Sequence, residues 1–187
     1  MFTLKGRISI RCNPLLLAGL LIFAGGKGAE EHPALFRVIE RGADAAFGDA
    51  GPAVAFATGQ ARFSSFYAAL HMNRVPAPDP PEVDFDAEAC VYISFGRQRT
   101  GGYSIEVLDA RVSRGVLVIK AQLLRPLPES FSTQAITEPY VLLVVPVENE
   151  TGGGYSRVEL RDEKGEPLLS MALRGKTRYE RVTGPDS

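Results

Sequence analysis

Apolar and polar residues alternate most clearly between Tyr103 and Val112, with Tyr103, Ile105 and Val107 on one face and Ser104 and Glu106 on the other. A period of two is the pattern of a half-buried strand. Val116 to Leu124 reads as the return strand after the tight connection Ser113-Arg114-Gly115, so residues 103–124 predict an antiparallel hairpin. A second hairpin is expected from Tyr155–Arg161 and Pro167–Leu173 around the turn Asp162-Glu163-Lys164-Gly165. Pro139–Pro146 is almost wholly apolar with proline at both ends, which suits a central strand. Phe36–Gly42, Val54–Ala57 and Ala89–Phe95 are shorter strand signals. Only Gln60–Met72 carries a helical stripe: Phe63, Phe66, Tyr67 and Leu70 fall at i, i+3, i+4 and i+7, with Thr58 placed to cap the N-terminus.

The pattern predicts an α+β fold, predominantly antiparallel β-sheet with one packed helix at about residues 60–72. Four prolines between Val75 and Pro81 exclude helix and inner strand there. A stiff surface loop, centred on residues 76–81, is expected rather than a linker between domains, because about 45 residues before it make a poor independent core. A single β-rich domain over residues 32–175 follows, with 176–187 as a flexible tail. Thr151-Gly152-Gly153-Gly154-Tyr155-Ser156 echoes Thr100-Gly101-Gly102-Tyr103-Ser104, but turn and strand propensities explain both without a duplication.

The N-terminus changes the picture of compartment. Lys5, Arg7 and Arg11 precede a ten-residue apolar run, Leu15–Ala24, followed by Gly25, Gly26 and Gly28. This is the layout of a signal peptide over residues 1–28, and the run is shorter than the roughly 20 residues that span a bilayer. The protein is therefore expected to be exported, periplasmic or extracellular, or anchored should the signal stay uncleaved. Cleavage would remove four of the 21 basic residues and none of the 22 acidic ones, leaving a net charge of −5. Such a chain is poorly suited to nucleic acid or to an anionic membrane surface. The mature chain would keep one cysteine, Cys90, in an apolar strand, so no internal disulfide is expected and the thiol reads as inert core. Asn149-Glu150-Thr151 matches a glycosylation sequon, a short and common pattern.

Candidate chemistry is sparse. The two histidines, His32 and His71, are too few for a histidine/cysteine zinc site, and His71 at the helix end suits the dipole as a cation. Glu82, Asp84, Asp86 and Glu88 alternate around Val83 and Phe85; as a strand they would share one solvated face. Arg97 and Arg99 beside the glycine pair form a basic turn, with anion binding as the functional alternative. Tyr103, Tyr140 and Tyr155 are expected as core or half-buried sheet residues. No cofactor or metal is expected.

Residues 82–146 resemble the C-terminal domain of the PrcB-like protease-complex subunit family. The resemblance is carried, in order, by Val83-Asp84-Phe85, Val91-Tyr92-Ile93-Ser94-Phe95-Gly96, Thr100-Gly101-Gly102-Tyr103-Ser104-Ile105, Val116–Leu124, Pro126 and Ile136-Thr137-Glu138-Pro139-Tyr140. It implies a non-enzymatic accessory or stabilising subunit of an exported protease, with no catalytic residues to carry across. The interaction surface implied is Arg97, Arg99, Thr100, Gly101, Gly102 and Tyr103 together with Glu138, Pro139 and Tyr140. Two alternatives remain open at this point. One is a small-ligand or polymer-binding envelope module with a pocket lined by Tyr103 and Tyr140. The other is a hydrolase in which two of Asp84, Asp86, Glu106 and Glu138 converge.

Overall fold

The computed structural model describes residues 32–33, 36–127, 132–147, 154–173 and 182–183. The elements in chain order are β1 (His32–Pro33), β2 (Arg37–Gly42), β3 (Ala53–Ala57), α1 (Gln60–Leu70), β4 (Glu88–Ser94), β5 (Ser104–Ser113), β6 (Val116–Leu124), β7 (Tyr140–Pro146), β8 (Arg157–Arg161), β9 (Pro167–Ala172) and β10 (Val182–Thr183). They form two five-stranded sheets, ordered β1-β5-β6-β8-β9 and β10-β3-β4-β7-β2. The second sheet is antiparallel throughout. The first contains one parallel pair, β6 with β8, because β7 intervenes in the chain but lies in the other sheet.

The sheets pack face to face. Val54, Phe56, Val91, Ile93, Val141, Leu143 and Val145 from one meet Ile105, Leu117, Ile119, Val158, Leu160 and Met171 from the other in one buried cluster. The opposite face of β3, β4 and β7 is also covered: Cys90, Tyr92, Tyr140, Leu142 and Val144 pack under Phe63, Phe66, Tyr67 and Leu70 of α1. A sheet buried on both faces needs apolar side chains at successive positions, and β3, β4 and β7 are buried almost without interruption. The other sheet keeps one wet face, and its strands alternate.

The hairpin at 103–124 turns through Arg114 at φ 51° and Gly115 at φ 76°, the paired left-handed residues that match the twist of two strands joined by a two-residue loop. A bulge between Val107 and Asp109 shifts the pairing by one. Ile105 and Val107 therefore share the inward face with Ala110 and Val112 rather than with Asp109 and Arg111.

Several expectations are corrected. α1 ends at Leu70, and its N-cap is Gly59 with no side-chain cap, not Thr58. An isolated helix of this length is marginal, so α1 depends on its four buried side chains, worth about 2 kcal/mol each. Glu82–Glu88 is not a strand face: the Asp84 carbonyl accepts from the Ala87 and Glu88 amides, and its carboxylate accepts from the Asp86 amide. That turn leaves Val83 buried and Phe85 against the helix layer. His32 pairs with Val112, and Val182–Thr183 pair with the edge of β3. Residues 75–81 form a loop between α1 and β4, and β2 and β3 before it share a sheet with β4 and β7 after it. The signal-like segment 1–28, the sequon at 149–151 and the Gly152-Gly153 pair lie outside the described residues.

Candidate functional site

Three loops meet at one end of the helix-covered sheet. Gly42, Tyr140 and Ser94 are in register there, so the segments after β2, after β4 and before β7 emerge side by side. They are laced together through their backbones. Gln98 and Thr137 exchange amide–carbonyl hydrogen bonds at 2.7 and 3.0 Å, and the Thr137 hydroxyl donates to the Thr100 carbonyl at 2.8 Å. The Gly101 amide donates to the Thr133 carbonyl at 2.9 Å. On the other side the Arg97 amide donates to the Asp49 carbonyl at 2.8 Å, and the Glu138 amide to the Ala43 carbonyl at 2.8 Å. The glycines serve close approach. A side chain at Gly101 would put its Cβ 2.3 Å from Thr133 Oγ1, and Gly102 sits at φ +86° against Pro126.

The two segments named from the sequence are thus brought together, but their side chains divide. Arg97, Arg99 and Gly102 are exposed, and Thr100 and Tyr103 are half-buried. Gly101, Glu138, Pro139 and Tyr140 are buried; they shape the clasp and present no side chain to a partner. Tyr140 points under α1 instead of sharing a pocket with Tyr103, because it belongs to the helix-side face of β7. Asp84 lies in the turn before β4, Glu106 on the wet face of β5 bound to Gln122, and Glu138 in the clasp, so these three carboxylates do not converge.

Beside the clasp is an open cleft of about 220 Å³, lined among others by Asp44, Gly48, Asn73, Arg97, Ile136 and Glu138. Glu138 is 3 % exposed, and its Oε2 accepts the Gly48 amide at 2.7 Å. Burial pushes its carboxyl above the usual range, the neighbouring Asp49 adds to that, and the Gly48 and Asp49 amides and the Arg97 charge oppose it. Asp44 is committed to Arg74, which donates from Nη2 and Nε at 2.6 and 2.9 Å.

A second polar cluster lies behind the cleft, under the C-terminal end of α1. Glu40 is turned there by a bulge between Val38 and Glu40 in β2. Its carboxylate accepts from the Tyr67 hydroxyl at 2.7 Å and from the Tyr140 hydroxyl, and His71 Nε2 lies 3.0 Å from Oε1. Burial and the Glu40 charge both raise the two phenols. His71 is 1 % exposed. Burial lowers its pKa, outweighing the attraction of Glu40, which corrects the expectation of a dipole-bound cation. Cys90 is buried under the same helix, its thiol pushed up to about 12 by desolvation. The sequence offers no pattern for this cluster: Glu40 is one of three charged residues in β2, and its partners, two tyrosines and a histidine, are distant in the chain.

Among the described residues no group of three or more His, Cys, Asp and Glu is arranged to hold a metal ion, and no helix is long and apolar enough to cross a membrane. The architecture is a helix-backed β-sandwich whose loops lock into a clasp at one end. Residues 90–146, from β4 to the end of β7, match the family model described as PrcB C-terminal, and this segment carries that family's signature over less than a third of the chain. The match takes in two segments of the clasp, Arg97–Tyr103 and Thr137–Tyr140, and begins after the Val83-Asp84-Phe85 element of the resemblance. No curated protein and no solved structure matches the chain.

Proposed function

We propose that this protein is an exported, non-enzymatic binding module that docks on a protease complex through the clasp end of the sandwich. The PrcB C-terminal match supports the class of partner. The observation that carries the location is that the matched segment contributes two of the three interlocked loops and leaves Arg97, Arg99 and Ile136 exposed around them. A rigid backbone frame presenting a few exposed side chains limits the ordering entropy lost on association. Tyr140, Pro139 and Glu138 act in this reading by holding the frame.

The test is photocrosslinking in the native envelope, with a benzoylphenylalanine placed at Arg99 or Ile136 and, as a distant control, at exposed Lys164 in the β8–β9 turn. Adducts containing a subunit of a protease complex at the two clasp positions and not at Lys164 are expected. The same pattern at all three positions, or adducts free of any protease subunit, would overturn the reading.

A further inference from the structure

Glu138, one of the residues that line the cleft beside the clasp, has a carboxylate that the fold holds without fully satisfying. Glu138 Oε1 accepts no hydrogen bond among the described residues although the residue is only 3 % exposed. A buried acceptor left unmet is costly, and most such groups in folded proteins find a partner. Asp44, the other carboxylate on the cleft, already has its partner in Arg74. Arg97 does not fill the role either. Its guanidinium lies over Gly48, with Nη2 2.2 Å from where a Cβ would stand, and it acts on Glu138 only as a nearby charge. The site has too few carboxylate and imidazole ligands for a metal ion. On the cleft wall Ile136 is 73 % exposed, an apolar surface next to a buried carboxyl group.

We propose that the cleft receives one basic side chain, lysine or arginine, from the protein docked on the clasp, with Glu138 as its counter-charge and Ile136 against its methylene stem. The long apolar stem and charged head of these residues fit a cleft with an apolar rim and an acidic floor. This rests on the docking surface proposed above, but its test does not require the partner.

The experiment is an amide NMR titration of the ¹⁵N-labelled full chain with N-acetyl-lysine N-methylamide, against the norleucine analogue that keeps the stem and lacks the ammonium. The lysine probe should shift the Gly48 amide, the donor to Glu138, saturably, and norleucine should not. Glu138→Gln should weaken the lysine probe by about tenfold or more, the scale of a lost hydrogen bond to a charged group. Ile136→Lys, at an exposed position that leaves the core untouched, should weaken it similarly by placing a competing ammonium at the rim. Equal shifts from both probes, no shift at Gly48, or undiminished binding by Ile136→Lys would overturn the proposal. Lysine binding without protease adducts would retain the basic-group site and discard the protease as its source. Adducts without lysine binding would do the reverse.

Discussion

The Thr137 hydroxyl donates to the Thr100 carbonyl oxygen at 2.8 Å, joining two motifs 37 residues apart. Each motif belongs to the matched segment, and their distance in sequence disappears in the clasp. Thr137→Val keeps the side-chain shape and the backbone exchange with Gln98 but leaves the Thr100 carbonyl short of a donor. A loss of about 1 kcal/mol is expected, or roughly 2–4 °C in a chain of this size. Exchange of the neighbouring Gly101 amide should quicken as well. A thermal melt and hydrogen exchange at Gly101 that both match the parent would show that the clasp does not depend on this hydroxyl.

The two glycine runs separate by conformation. Gly102 occupies φ +86°, and a Cβ there would stand 2.9 Å from Pro126 Cβ, whereas Gly154 has nothing within 4 Å. Gly102→Ala should cost about 1–3 kcal/mol through left-handed backbone strain and contact with the ring. Gly154→Ala should stay within about 0.5 kcal/mol. Chemical denaturation of the two variants side by side checks this, and equal effects would mean that the echo between the runs is more than compositional.

What could be read from the chain tracks how many faces of each strand are wet. β5 and β6 have one wet face, so their alternation announces a hairpin, and Arg114-Gly115 supplies the turn. β4 and β7 are buried on both sides, which erases the period: nothing in Cys90-Val91-Tyr92-Ile93 says that Cys90 and Tyr92 face the helix while Val91 and Ile93 face the other sheet. Glu40 misleads for a different reason. By period two it would share the inter-sheet face with Val38, and a bulge turns it beneath α1 instead. Glu82–Glu88 shows the converse error, an alternation that Asp84 folds into a turn. In the cleft, Arg97 and Glu138 were visible as motif residues, but Asp44, Gly48 and Asp49 come from a loop 40 or more residues away that carries no pattern of its own.

The Glu40 cluster ties β2, α1 and β7 through two phenols. Tyr67→Phe and Tyr140→Phe each remove a donor to a carboxylate, with an expected cost of about 1.5–3 kcal/mol. Because both hydroxyls serve one carboxylate, the double variant should not equal the two single losses together; a coupling of at least about 0.5 kcal/mol is expected. Denaturant unfolding of the four proteins closes the cycle. Strict additivity would mean that Glu40 is satisfied by water rather than by the two tyrosines.

His71 gives the cluster a pH dependence whose direction follows from its burial. Glu40, Asp44, Arg74, Tyr67 and Tyr140 surround it, and desolvation holds its pKa below the ordinary 6.5. The unfolded chain therefore takes up a proton at a higher pH than the folded one. The contribution of His71 is complete above about pH 6.5 and is lost as pH falls through the folded value, with a slope of no more than one proton, about 1.4 kcal/mol per pH unit. Glu138 runs the other way: its raised pKa contributes stability present below the ordinary 4.5 and lost as pH rises through the folded value. The difference between parent and His71→Gln isolates the first effect. That difference should narrow as pH is lowered from 7 towards 5 in denaturant titrations, and the His71 ring resonances of the parent should titrate below 6.5. A ring that titrates above 6.5 would mean that Glu40 outweighs burial and that the imidazolium is the folded form.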